Sequence, residues 1–266
     1  MKKALLILSI ALLSFYVFIG VVLFAFQERI IFHPQKLAKH VAFYFNQPFE
    51  EKNITLSDGI ILSGLLFKSS HSKGLIFYLH GNAGSLHSWG DVASAYTDLG
   101  YDVLMIDYRG YGKSEGSITS QQQLFTDIQT AYDELCKMYD ENTIVVLGYS
   151  IGTGPAAKLA STNAPKLLIL QAPYYNLRDM MNKTFPFIPT FILKYKFETN
   201  EYLKACKMPV VIFHGKSDEV IDYGSSLKLK AEFKKEDKLI TLVGQGRNGM
   251  SENETYKKEI RQVLGQ

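Results

Sequence analysis

Cysteine is scarce: only Cys136 and Cys206 occur in 266 residues. They lie far apart and match no zinc-ligand or redox-motif spacing, so a thiolate metal site or thiol redox centre is not expected, and two free, buried or half-buried thiols are. Charge of one sign is lacking too. The net charge is +3 with no basic block, which speaks against nucleic acid as a partner. Internal repeats and low-complexity tracts are absent, and with them solenoid and disordered architectures. What remains is apolar: 47% of residues are hydrophobic and 13% aromatic, a globular composition. The length suits one catalytic-size domain plus an attachment.

That attachment is at the N-terminus. From Ala4 to Phe26 the chain carries no charge and is rich in Leu, Ile, Val and Phe. About 23 residues at 1.5 Å each can span a ~30 Å hydrocarbon core. A secretory signal has an apolar region of only about 7–15 residues and a small-x-small cleavage site. Phe24-Ala25-Phe26-Gln27 offers none, which favours an uncleaved anchor over residues 1–27 above a cleaved signal or a core helix. Lys2 and Lys3 favour a cytoplasmic N-terminus, and Glu28, Arg29 and Lys36 weaken that vote. The expected localisation is a single-pass membrane protein with its main domain extracytoplasmic.

Residues 28–52, with Pro34, Pro48 and many aromatics, read as a juxtamembrane connector that packs on the domain or lies at headgroup level. From residue 53 the pattern changes. Ile54–Ser57 and Ile60–Phe67 flank Asp58-Gly59, a hairpin signature. Short unbroken apolar runs follow at Leu75–Leu79, Val103–Ile106, Thr143–Leu147, Leu167–Leu170, Val210–Phe213 and Leu239–Val243. Helical patterns over 88–98 and 120–138 separate some of them. Such alternation predicts βαβ units in a mostly parallel sheet covered on both faces, with the hairpin as an antiparallel edge. Ligand sites in such sheets lie beyond the carboxyl ends of the strands.

The chemically suggestive residues fall there. Val145-Val146-Leu147 runs into Gly148-Tyr149-Ser150-Ile151-Gly152, and helix-compatible residues 156–160 follow. A strand-to-helix turn this tight leaves no room for Cβ atoms at the two glycines and presents Ser150 as a nucleophile. An ordinary glycine-rich βα turn is the competing reading. Tyr78-Leu79-His80-Gly81-Asn82-Ala83-Gly84-Ser85 follows another strand. The amides of Asn82 and Ile151 are therefore candidate oxyanion donors, and His80 is expected to organise the loop by hydrogen bonding. Phe213-His214-Gly215-Lys216-Ser217-Asp218-Glu219 follows the penultimate strand. Asp218 is the candidate orienting acid, Glu219 a solvated neighbour.

Asp107-Tyr108-Arg109-Gly110-Tyr111-Gly112-Lys113-Ser114-Glu115-Gly116, the His80–Gly84 loop and Gln27–Pro34 after the apolar stretch resemble the membrane-anchored α/β-hydrolase-domain family. Its members include depalmitoylases and proteins labelled serine aminopeptidase-like. The resemblance covers nearly the whole chain. It implies an α/β-hydrolase fold over residues 53–266 and serine hydrolysis of an ester, thioester or amide without metal or cofactor.

One position departs from the pattern. The family's catalytic His follows the last strand in a Gly-x-Gly-His-Asn setting, and here Gly244-Gln245-Gly246-Arg247-Asn248 stands. A guanidinium has no acceptor and stays protonated, so Arg247 can pair with Asp218 but cannot be the general base. His33, His40 and His71 read as surface or connector residues, while His87 and His214 are weak substitutes. Three readings stay open: a hydrolase carrying a changed codon, a non-catalytic pocket protein that binds a ligand or partner, and a hydrolase with a relocated base. Residues 173–207 form an insertion rich in Tyr, Phe, Met and Pro, expected as a cap over Ser150. It suits a lipid-like or acylated small-molecule substrate, or else fills only its own small core. Oligomeric state is not legible.

Overall fold

The unbroken apolar runs become the buried strands of one sheet. In the computed structural model, which describes residues 1–265, eight strands are ordered β8-β7-β6-β5-β3-β4-β2-β1. They are β1 (Phe49–Thr55), β2 (Ile61–Phe67), β3 (Leu75–Leu79), β4 (Asp102–Ile106), β5 (Ile144–Tyr149), β6 (Leu167–Gln171), β7 (Val210–Gly215) and β8 (Lys238–Leu242). The β1–β2 hairpin and the β2–β4 pair are antiparallel, and every other pairing is parallel.

Every residue of β3, β4, β5, β6 and β7 is buried, and alternate side chains serve opposite faces. Leu75, Phe77, Leu79, Ile144, Val146, Leu168 and Ile212 pack with the helices Gln121–Cys136, Thr153–Thr162 and Thr199–Ala205. Ile76, Tyr78, Val145, Leu147, Ile169 and Phe213 pack with the helix Glu254–Leu264 and residues 86–97. Two cores therefore sandwich one sheet, as the alternation of strands and helices predicts.

Some local expectations are revised. The helix expected over 88–98 is three short pieces spanning Leu86–Thr97. A Cβ at Gly90 would meet the Phe45 ring at 2.3 Å, so the connector lies hard against the break. β1 begins at Phe49, inside the expected connector, because an edge strand pairs on one side only and tolerates Glu50, Glu51 and Lys52. The rest of the connector packs on the domain: Phe32 and Phe43 are buried, and His33–Pro34 pairs with Ala83–Gly84. Cys206 is buried, and desolvation pushes its thiol up to about 12. Cys136 is exposed rather than half-buried.

Lys2–Ala25 forms a 24-residue helix with no buried residue. It is long and apolar enough to cross a membrane. A short helix, Gln27–Ile31, leads from it into the domain.

Candidate active site

At the carboxyl end of β5 the chain turns sharply into the helix Thr153–Thr162. Ser150 sits at the turn with φ of 56°, a left-handed conformation that costs a non-glycine residue about 1–3 kcal/mol. The packing enforces it. A Cβ on Gly148 would meet the Gly152 carbonyl at 2.5 Å, and one on Gly152 would meet the Leu79 carbonyl at 2.3 Å. The elbow is thus wedged against the end of β3 and the loop beyond.

In that loop, Asn82 is held from two sides. Tyr111 Oη donates to the Asn82 carbonyl at 2.7 Å, and the Asn82 side chain meets the backbone and ring of His33. Among the described residues no acceptor takes the Asn82 N–H. Ile151 lies in the first turn after the elbow, where amides lack an intrahelical acceptor. His80 is fully buried, with Nδ1 2.7 Å from the Gly81 carbonyl and Nε2 3.5 Å from Asp107. Asp107 in turn accepts from the Leu86 amide at 3.0 Å. These contacts tie the loop to the end of β4.

Asp218 lies in the loop after β7. Its Oδ1 accepts from the Val220 and Ile221 amides, both at 2.9 Å. Burial alone would raise this carboxyl. The His214 imidazole 3.6 Å away, those amides and the Arg247 charge outweigh burial and hold it well below the usual carboxylate range. Arg247 spans the gap between acid and serine. One terminal nitrogen donates to Asp218 Oδ2 at 3.0 Å, and the other donates to Ser150 Oγ. Ser150, Arg247 and Asp218 therefore form a continuous line, with a guanidinium where a base would stand.

The sequence gives no sign of how residue 247 is fixed. Tyr149 Oη donates to the Arg247 carbonyl at 2.7 Å, and its ring lies 5.2 Å beneath the guanidinium. Tyr149 is the unspecified residue before the serine in the elbow, so no pattern announces this role. The other histidines are placed elsewhere. His214 is buried, with Nδ1 on Ser226 and Nε2 on the Ile221 carbonyl. His87 is exposed, with its ring 6.5 Å from that of Phe43. His40 and His71 are exposed. His33, expected as a bystander in the connector, touches Asn82. Among the described residues no cluster of His, Cys, Asp or Glu is suited to a metal.

A family described as serine aminopeptidase, S33, matches residues 70–198. That range holds Asn82, Ser150 and Ile151 and stops short of Asp218 and Arg247. Among curated relatives, protein bem46 of Schizosaccharomyces pombe is 32% identical over 189 residues, covering 66% of this chain and 63% of its own length. The chain thus matches less than two thirds of that relative. Human α/β hydrolase domain-containing protein 17B is 29% identical over 204 residues, 74% of this chain and 68% of its own. Among solved structures, an esterase of Pyrococcus furiosus superposes with a TM-score of 0.66 at 20% identity, covering 88% of this chain and 95% of the esterase. That likeness speaks for the fold.

Proposed function

Because the chain belongs to the α/β-hydrolase family, we propose that it is a membrane-anchored serine hydrolase for an ester, thioester or amide bond, with turnover set by residue 247. Ser150 is the nucleophile, Asp218 the acid of the triad, and the Ile151 and Asn82 amides the oxyanion hole. The observation that carries this reading is the line from Asp218 through the Arg247 guanidinium to Ser150 Oγ.

In acyl transfer Ser150 Oγ attacks the carbonyl carbon, and the carbonyl oxygen takes negative charge opposite the two amides. The Oγ proton needs an acceptor that later protonates the leaving group. A histidine at 247, resting on Asp218, would do both. Arg247 does neither: it donates to Oγ, ties up a lone pair of the nucleophile and leaves the proton to water. Loss of the base typically costs on the order of 10⁶ in kcat, so the chain turns over slowly and an Arg247→His variant rapidly.

The helix Lys2–Ala25 serves as the anchor in this reading, and Lys2 and Lys3 at its start favour a hydrolase domain outside the cytoplasm. The apolar insertion over 173–207, with Met180, Met181, Phe185 and Phe187, supports a lipid-like or acylated substrate. The Asp218–Arg247 ion pair also favours a second reading, a pocket protein without turnover that binds a ligand or partner.

A fluorophosphonate probe separates the two. The hydrolase reading expects slow labelling of Ser150 in the chain as it stands and fast labelling in Arg247→His. Absence of labelling in both proteins would leave only the pocket reading.

A further inference from the structure

The apolar helix and the short helix that follows it are both tied to the cap. Tyr16 Oη donates to the Phe187 carbonyl at 2.8 Å. Eleven residues on, Gln27 donates to the Ile192 carbonyl at 2.9 Å and accepts from the Lys194 amide at 2.7 Å. Lys194 and Tyr195 then hold Glu28. Tyr16 lies roughly 14 Å from the helix end at Ala25, at a rise of 1.5 Å per residue. The tip of the cap therefore sits about half a ~30 Å hydrocarbon core away from the polar end of the span. Its side chains match that depth: Phe187 and Phe191 are each 85% exposed and Phe185 is 52% exposed. Three exposed phenylalanines within seven residues are ill suited to water and suited to lipid.

Behind them lies a cavity of about 190 Å³ between the end of the helix and the cap. Leu23, Ile30, Ile31, Met180, Met181 and Leu193 line it, and Gln27 and Thr184 are its polar side chains. No charged side chain is among the described residues that line it. Phe185 belongs both to its wall and to the exposed tip, so cavity and tip are continuous. The cap helix Leu177–Thr184 is two-faced. Leu177, Met180 and Met181 face the groove, while Asp179 and Lys183 pair with Lys228 and Asp222.

We propose that this groove holds an acyl chain of a bilayer lipid, which enters from the leaflet past Phe185, Phe187 and Phe191. The proposal rests on the anchor reading above. It makes the cap a second membrane-inserted element and brings hydrocarbon into the fold without passage through water.

The test uses the full chain in phosphatidylcholine vesicles containing a phosphatidylcholine with a diazirine in its acyl chain. After photolysis, lipid adducts are mapped by peptide mass spectrometry. Adducts are expected on Met180, Met181 and Leu193 as well as on residues 4–26. Met181→Trp, which fills the groove, is expected to abolish those on Met180 and Leu193 and spare those on the span. Adducts on the span with residues 177–193 unlabelled would overturn the groove assignment, the pattern also expected if a second copy of this chain covered it. Cap adducts that persist in Met181→Trp would reduce the groove to a surface contact and overturn it equally. An unlabelled span would overturn the anchor itself, while the fluorophosphonate assay reads the hydrolase chemistry separately.

Discussion

In a Gly152→Ala variant the added Cβ would sit 2.3 Å from the Leu79 carbonyl oxygen and 2.8 Å from that of His80. Both are backbone atoms at the end of β3, so no side chain can swing aside. Ordinary contact begins near 3.4 Å, so about 1 Å must open between the elbow and the strand. Overpacking of this kind costs about 1–3 kcal/mol where side chains can adjust. Here β3 is locked between β4 and β5, which places the cost at or above the upper end. At roughly 2–4 °C per kcal/mol for a chain of this size, Tm should fall by on the order of 5–10 °C. The assay is thermal unfolding of the full chain in detergent, followed by near-UV circular dichroism. Gly59→Ala is the control: its φ is +81° with nothing within 4 Å, so it carries only the left-handed penalty of ~1–2 kcal/mol. Displacing the His80 carbonyl also moves Asn82, so Gly152→Ala should slow fluorophosphonate labelling even in an Arg247→His background. A Gly152→Ala protein that melts with its parent, or above Gly59→Ala, would refute the close-packed elbow.

Arg109 grips buried Asp127 with two bonds of 2.6 and 2.8 Å and reaches Asp58 at 2.7 Å. Arg109→Ala should cost about 3–5 kcal/mol by leaving a buried carboxylate unpaired, and Arg109→Lys should recover only part because it lacks the fork; denaturant titration reads both. Tyr256 Oη meets Tyr96 Oη at 2.8 Å and also serves Gln171. Tyr256→Phe should destabilise by about 1–3 kcal/mol through the unpaired partners, measured by the same titration. The Asp218 carboxyl is held below its ordinary range in the fold, so its contribution to stability is complete above the unfolded value of about 3.9 and is lost as pH falls from there toward the folded value. The slope of Tm against pH below about 4 should therefore be shallower in Asp218→Asn than in the parent, and equal slopes would remove Asp218 from the acid transition.

The buried strands were legible because each is a short continuous apolar run. The elbow and its neighbouring loop were legible because each is contiguous and follows such a run. Asp218 could be placed from chain order, and Arg247 from the Gly-x-Gly-His-Asn setting of the family that the sequence resembles. Contacts between distant segments carried no such signal. Tyr16 and Phe187 lie 171 positions apart, and nothing local marks their meeting or the groove beside it. Tyr149 holds residue 247 through a backbone carbonyl, an acceptor every residue possesses. The start of β1 was hidden by Glu50-Glu51-Lys52, which resembles a connector until the strand is seen to be an edge. The helix over 88–98 breaks where Phe45, far away in sequence, occupies the space beside Gly90.

The most direct measurement is the initial rate of p-nitrophenyl acyl ester hydrolysis by three purified proteins: the chain as it stands, Arg247→His, and Arg247→His with Ser150→Ala. If Ser150 and Asp218 form a triad lacking only its base, Arg247→His should raise the rate by at least ~10³, toward the on the order of 10⁶ that a triad histidine contributes. The added Ser150→Ala change should abolish that gain. An Arg247→His protein no faster than the parent, or one equally fast without Ser150, would contradict it.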